Sequence, residues 1–176
     1  IPALGESPGM RAMRPKRYSH APGSFWYYNN WDFNALGTIF EQETGTRIFK
    51  EFERRFAIPL QMEDFDVSYC RYLSSADYED TPYSPHRYYL FRVSARDMAR
   101  FGLLYLREGQ WQGQRIVSAD WVNESTASYS KRGFDSGYGY MWWTGANRGL
   151  LPNVNVEAHS YYAAGWGGHR LFVLPY

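Results

Sequence analysis

The run from Ser94 to Gly109 constrains this chain more than any other. Ser94 stands three residues before Asp97, as in a capping box, and Met98, Phe101, Gly102 and Tyr105 fall on one stripe that Gly109 ends. This pattern predicts an amphipathic helix. Later in the chain the period changes. Tyr138 to Thr144, Ser160 to Gly165 and His169 to Leu174 are aromatic or β-branched, bounded by Gly or Pro, and read as strands.

Other helices are expected earlier. Phe33, Leu36, Gly37 and Phe40 share helical spacing, so Trp31 to Thr44 reads as a helix that Gly45 stops. Thr46 can cap a second helix whose face is Ile48, Phe49, Phe52 and Phe56, with Pro59 closing a helical hairpin. Ser118 can cap a short further helix through Trp121 and Val122. Residues 1–24 are rich in Pro, Gly and basic side chains and read as a draped loop. Leu60 to Tyr89, broken by Pro82 and Pro85, reads as a long surface loop.

Composition excludes some partners. Among 176 residues, 19 Lys plus Arg balance 18 Asp plus Glu, so no charge excess favours nucleic acid or an acidic membrane surface. A small-molecule or peptide substrate fits better. The chain carries 16 Tyr, 11 Phe and 7 Trp, more rings than a core of this size needs, which points to an aromatic cleft or interface. Cys70 stands alone and reads as a buried structural thiol. No run approaches the roughly 20 apolar residues that cross a bilayer. His20, His86 and His159 are scattered without metal-ligand spacing, so no metal or other cofactor is implied. The chain opens at Ile1 and stops just after a strand, and both ends are expected to be cut.

Three segments could carry chemistry. Gly5-Glu-Ser-Pro-Gly9 matches the nucleophile elbow, but the residue after Ser7 is Pro8, which has no N–H to give an oxyanion, and a plain turn is the better reading. Ser128-Tyr-Ser-Lys131 matches S-x-x-K, in which a lysine one helical turn away accepts the serine proton. Its polar setting, running into Arg132 and Gly133, gives no apolar stripe to lower the lysine pKa, and an exposed loop is expected. Tyr28-Asn-Asn30 is a Y-x-N that can set a phenol and an amide side by side over a cleft. Asn30 would at the same time cap the helix starting at Trp31. Tyr27 with Asn29 also satisfies the tripeptide, but spacing from Pro22-Gly23 and to Leu36-Gly37 favours Tyr28 with Asn30.

The stretch from Pro22 to Gly45 resembles the second motif region of the β-lactamase and penicillin-binding-protein superfamily of serine hydrolases, where Pro-Gly leads to Y-x-N and a helix ending in Thr-Gly. Phe91 to Gly113 is similar to that family's S-A-x-D-x-A-x-F helix and G-x-W-x-G turn. Ala163 to Pro175 resembles the third motif region, with Trp166, Gly167 and Gly168 where family members carry K-T-G or H-x-G. A W-G-G variant is what some esterases of the superfamily show. Without a lysine there, carboxylate binding is expected to be weaker.

The resemblance implies an α+β fold, a helical lobe plus part of an antiparallel sheet, incomplete at both ends. Residues 1–135 would form mostly the lobe and its loops, and 136–176 the strands. It implies a serine hydrolase acting through an acyl-enzyme on an ester or amide, with the S-x-x-K serine upstream of Ile1. Tyr28 and Asn30 would be catalytic, and Trp166, Gly167 and Gly168 would shape the substrate and oxyanion side. His169 is not required by the family reaction. The competing expectation is a pseudoenzyme module that binds a ligand or a cell-wall peptide. The compartment and the oligomeric state stay open.

Overall fold

The computed structural model describes residues 12–74, 84–131, 136–145, 159–165 and 167–175. The chain divides into two compact units, Ile1–Arg54 with Asp66–Arg92, and Arg55–Phe65 with Val93–Tyr176.

In the first unit, helix α1 spans Asn30–Thr44 and ends on Gly45, whose φ of 67° needs a residue without a β-carbon penalty. It starts one residue earlier than the sequence suggests, because Asn29, not Asn30, is its cap. Asn29 Oδ1 accepts from the Asp32 N–H at 3.0 Å, and its amide donates to Asp32 Oδ2 at 2.8 Å. The buried residues are Asn34, Ala35 and Gly37, while Leu36 and Ile39 are half exposed at 50% and 52%. The expected apolar stripe is therefore rotated, and Gly37 explains why. A side chain there would run into the Tyr89 ring, so a ring docks where the helix is bare.

Helix α2, Ile48–Phe52, is not capped by Thr46, whose hydroxyl pairs with that of Thr44. Glu41, reaching from α1, takes the Ile48 N–H at 2.9 Å and the Tyr72 hydroxyl at 2.6 Å on the same oxygen. A π-helical turn, Glu53–Ala57, continues α2. The stretch expected to be loop holds a 3-10 turn at Val67–Tyr69 and two paired strands, β1 (Arg71–Leu73) and β2 (Tyr88–Leu90). These strands are too short for a period to show, and rings hold them: Phe49 lies 4.8 Å from both Tyr72 and Phe91. Cys70 is only partly covered, not buried as the sequence suggests, and what burial it has raises the thiol pKa.

The second unit is built on helix α3, Ala95–Leu106, where the sequence places it. Ser94 Oγ accepts from the Asp97 N–H at 3.1 Å. Asp97 is 0% exposed, and its carboxylate accepts the N–H groups of Glu63 at 2.9 Å and Asp64 at 3.0 Å. A buried charge is tolerable because backbone donors surround it. The short hairpin of β3 (Gln110–Trp111) and β4 (Gln114–Arg115) follows, then helix α4, Ala119–Ser125, capped by Ser118 as expected.

Among the described residues, five antiparallel strands complete this unit, in the order β5 (Ser130–Lys131), β6 (Gly137–Tyr138), β7 (Trp143–Thr144), β8 (Tyr161–Ala164) and β9 (Arg170–Val173). The single strand expected over 138–144 is two, folded back where the Gly139 N–H bonds Trp142 O and Met141 takes a φ of 65°. Tyr105, Val122, Trp142, Tyr161 and Val173 form one core. Leu60, Leu104 and Trp111 form another. Gly102 lets Leu171 sit close, since an added β-carbon would lie 2.8 Å from Leu171 Cδ1. The α+β class and the antiparallel sheet are thus borne out.

Candidate active site

Tyr28 lies in the extended approach to α1 and is half-buried between Trp26, 6.3 Å away, and Phe33, which meets it edge-on at 5.3 Å. Burial raises the phenol pKa above its ordinary value near 10, and Tyr88 raises it further. The hydroxyl is therefore a proton donor at neutral pH. Asn30 occupies the first position of α1 and is half-buried. Capping falls to Asn29, so the two asparagines have separate duties.

Tyr27 and Asn29 border a groove with residues 15–23, and Asn29 is committed to Asp32. Tyr28 and Asn30 flank the Asn29 cap at the start of α1, while Tyr27 and Asn29 line the groove. Tyr88, which acts on Tyr28, lies in the stretch read as loop. The Tyr-Tyr-Leu run from 88 to 90 is the signal that could have found it.

In the second unit Gly167 and Gly168 lie between β8 and β9 with φ of 83° and 85°. Two successive left-handed residues favour glycine, which has no β-carbon to crowd the backbone. The Gly165 N–H donates to His169 O at 3.0 Å and closes this turn, and both glycines are exposed. Trp166 lies outside the described residues. His169 is exposed, with its carbonyl also taking Arg170 Nη1 at 2.9 Å.

The S-x-x-K run does not form the helical turn its chemistry needs. Ser130 and Lys131 pair with Tyr138 and Gly137 as a strand, not the expected loop, so Ser128 and Lys131 are not one helical turn apart. Ser7 falls outside the described residues. Among those residues no group of three His, Cys, Asp or Glu is placed to hold a metal ion, and no helix is long and apolar enough to cross a membrane.

A family model described as Beta-lactamase matches residues 7–175. Among solved structures, a penicillin-binding protein from Bacillus halodurans is similar at 19% identity and a TM-score of 0.53, over 88% of this chain and 52% of that one. An octameric penicillin-binding protein homologue from Pyrococcus abyssi is similar at 19% identity and a TM-score of 0.49, over 87% of this chain and 33% of that one. The chain thus spans a third to about half the length of these structures. The family match runs through the Y-x-N segment, the α3 helix and the glycine turn alike, and by it this chain belongs to the Beta-lactamase family.

Proposed function

We propose that the complete protein is a serine hydrolase that cleaves an ester or amide through an acyl-enzyme, with Tyr28 and Asn30 on its proton-transfer side. The nucleophilic serine and its lysine belong, in this reading, to the part of the family fold that this chain does not span. Trp166, Gly167 and Gly168 shape the oxyanion side of the cleft. The observation that carries the reading is the Tyr28 phenol, half-buried, ringed by aromatic side chains and held protonated on the segment that bears Asn30.

The chemistry follows from that protonation state. The lysine takes the serine hydroxyl proton as the oxygen attacks the carbonyl carbon, the bond to the leaving oxygen or nitrogen breaks, and the Tyr28 proton passes to the leaving group, leaving a phenolate. Water then gives a proton to the Tyr28 phenolate and attacks the acyl-enzyme, the acid leaves, and the serine oxygen takes back its proton from the lysine. A cation beside Tyr28 stabilises the phenolate and lowers its pKa, so that the phenol can give up its proton in the first step and regain it in the second. Asn30 holds the substrate and that neighbour through its amide. In the complete protein, Tyr28→Phe should lower turnover of ethyl butyrate, whose leaving alkoxide needs a proton, roughly 100-fold or more with little change in thermal midpoint. Near-normal turnover by the variant would remove Tyr28 from the mechanism.

A further inference from the structure

A groove of about 360 Å³ in the first unit has no part in that mechanism. Lys16, Arg17, His20, Phe25, Tyr27 and Asp32 are among its walls. Two hydrogen-bonded turns shape the loop on one side, Ser19 N–H to Lys16 O at 3.0 Å and Ser24 N–H to Ala21 O at 3.1 Å. His20 stacks flat on Phe25, with ring centres 4.1 Å apart and planes 9° apart, so the imidazole edge stands on a fixed wall. The Arg17 guanidinium lies over the Tyr18 ring, 5.1 Å from its centre.

Among the described lining residues two cations, Lys16 and Arg17, stand with one acid, Asp32. Neither Lys16 nor Arg17 has an ion-pair partner among the described residues. The acid in the described lining, Asp32, already accepts the Asn29 amide at 2.8 Å. Two exposed cations on a loop closed by backbone hydrogen bonds, beside an aromatic wall, suit a ligand that brings negative oxygens in a fork. The groove is of the size that takes a small molecule and far too small for a protein segment.

We infer that this groove binds a small oxyanion, a carboxylate or a phosphoryl group, gripped by Arg17 and Lys16. The inference rests on the first unit alone and stands whether or not the complete protein hydrolyses esters. The test is a titration of the isotope-labelled chain with succinate and, separately, inorganic phosphate, followed through the His20 ring and backbone amide resonances, with sodium chloride as the ionic-strength control.

Saturable shifts confined to residues 16–32 are expected, with binding about tenfold weaker in Arg17→Gln and in Lys16→Gln. Unmoved Asn29 and Asp32 signals in the free variants show that the α1 cap survives. Saturation by succinate alone assigns a carboxylate ligand, and saturation by phosphate alone a phosphoryl group. Shifts that follow ionic strength and match those with chloride, or equal affinity in both variants, overturn the inference.

Discussion

Helices α1 and α3 begin with the same local device and use it differently. Each has a cap residue followed at the third place by an aspartate, Asn29 with Asp32 and Ser94 with Asp97. In α1 the Asp32 carboxylate stays exposed and turns back to the Asn29 amide. In α3 the Asp97 carboxylate is wholly buried and binds the backbone of Glu63 and Asp64, stapling the 61–65 segment to the helix. Both motifs announce a helix start. What decides the role of the acid is whether another stretch of backbone arrives with donors to spare, and that is a tertiary matter.

The largest effect is expected where the staple is cut. Asp97→Ala leaves two N–H groups without their acceptor and should cost about 2–3 kcal/mol in urea unfolding. A cost no greater than that of Asp32→Ala would erase the distinction between the two helices. Next come the caps themselves. Asn29→Ala and Ser94→Ala each remove one side-chain acceptor and should cost about 1 kcal/mol by the same measurement. If Asn30→Ala proved as damaging to stability as Asn29→Ala, the separation of capping from the candidate site would fail.

The smallest effect is a pH dependence at α3. Hydrogen bonds from Arg96 and Ser94 hold the exposed Asp64 carboxyl below its ordinary range. A carboxyl whose folded pKa is depressed contributes stability above the unfolded value, roughly 3.9, and loses it as pH falls through the folded value. Acid unfolding of Asp64→Asn should therefore be less steep below about pH 4 than that of the parent chain. An unchanged acid limb would show that Asp64 adds nothing there.

How much of this was legible depended on where the deciding partner lies. The stripe from Met98 to Tyr105, the Ser94 and Ser118 caps and the Gly45 stop are local, and each stands where the sequence puts it. The β8 and β9 strands are long enough for their composition to show. Thr46 looked like a cap because nothing nearby in sequence reveals that Glu41, seven residues before Ile48, would take that N–H. Leu36 looked buried because apolar spacing cannot foresee a tyrosine ring resting on Gly37.

The β1–β2 pair was missed for a related reason. Each strand has only three residues, and rings from elsewhere in the unit decide its place. At the candidate site, spacing singled out Tyr28 and Asn30. That Asn29, and not Asn30, is the cap became visible only from hydrogen-bond geometry.

The order of the larger sheet carries one more consequence. β9 stands last, so among the described residues its four-residue run from Arg170 to Val173 is paired on one flank alone, with β8. A strand in that position offers a ladder of carbonyl and amide groups to whatever extended segment comes alongside. Leu171 and Phe172 are only partly covered, and Arg170 is the sole charge on the run to discourage intruders. Prepared alone and concentrated, this chain should therefore be sensitive to crowding with copies of itself, and a charged residue at Phe172 is the change that would guard that flank.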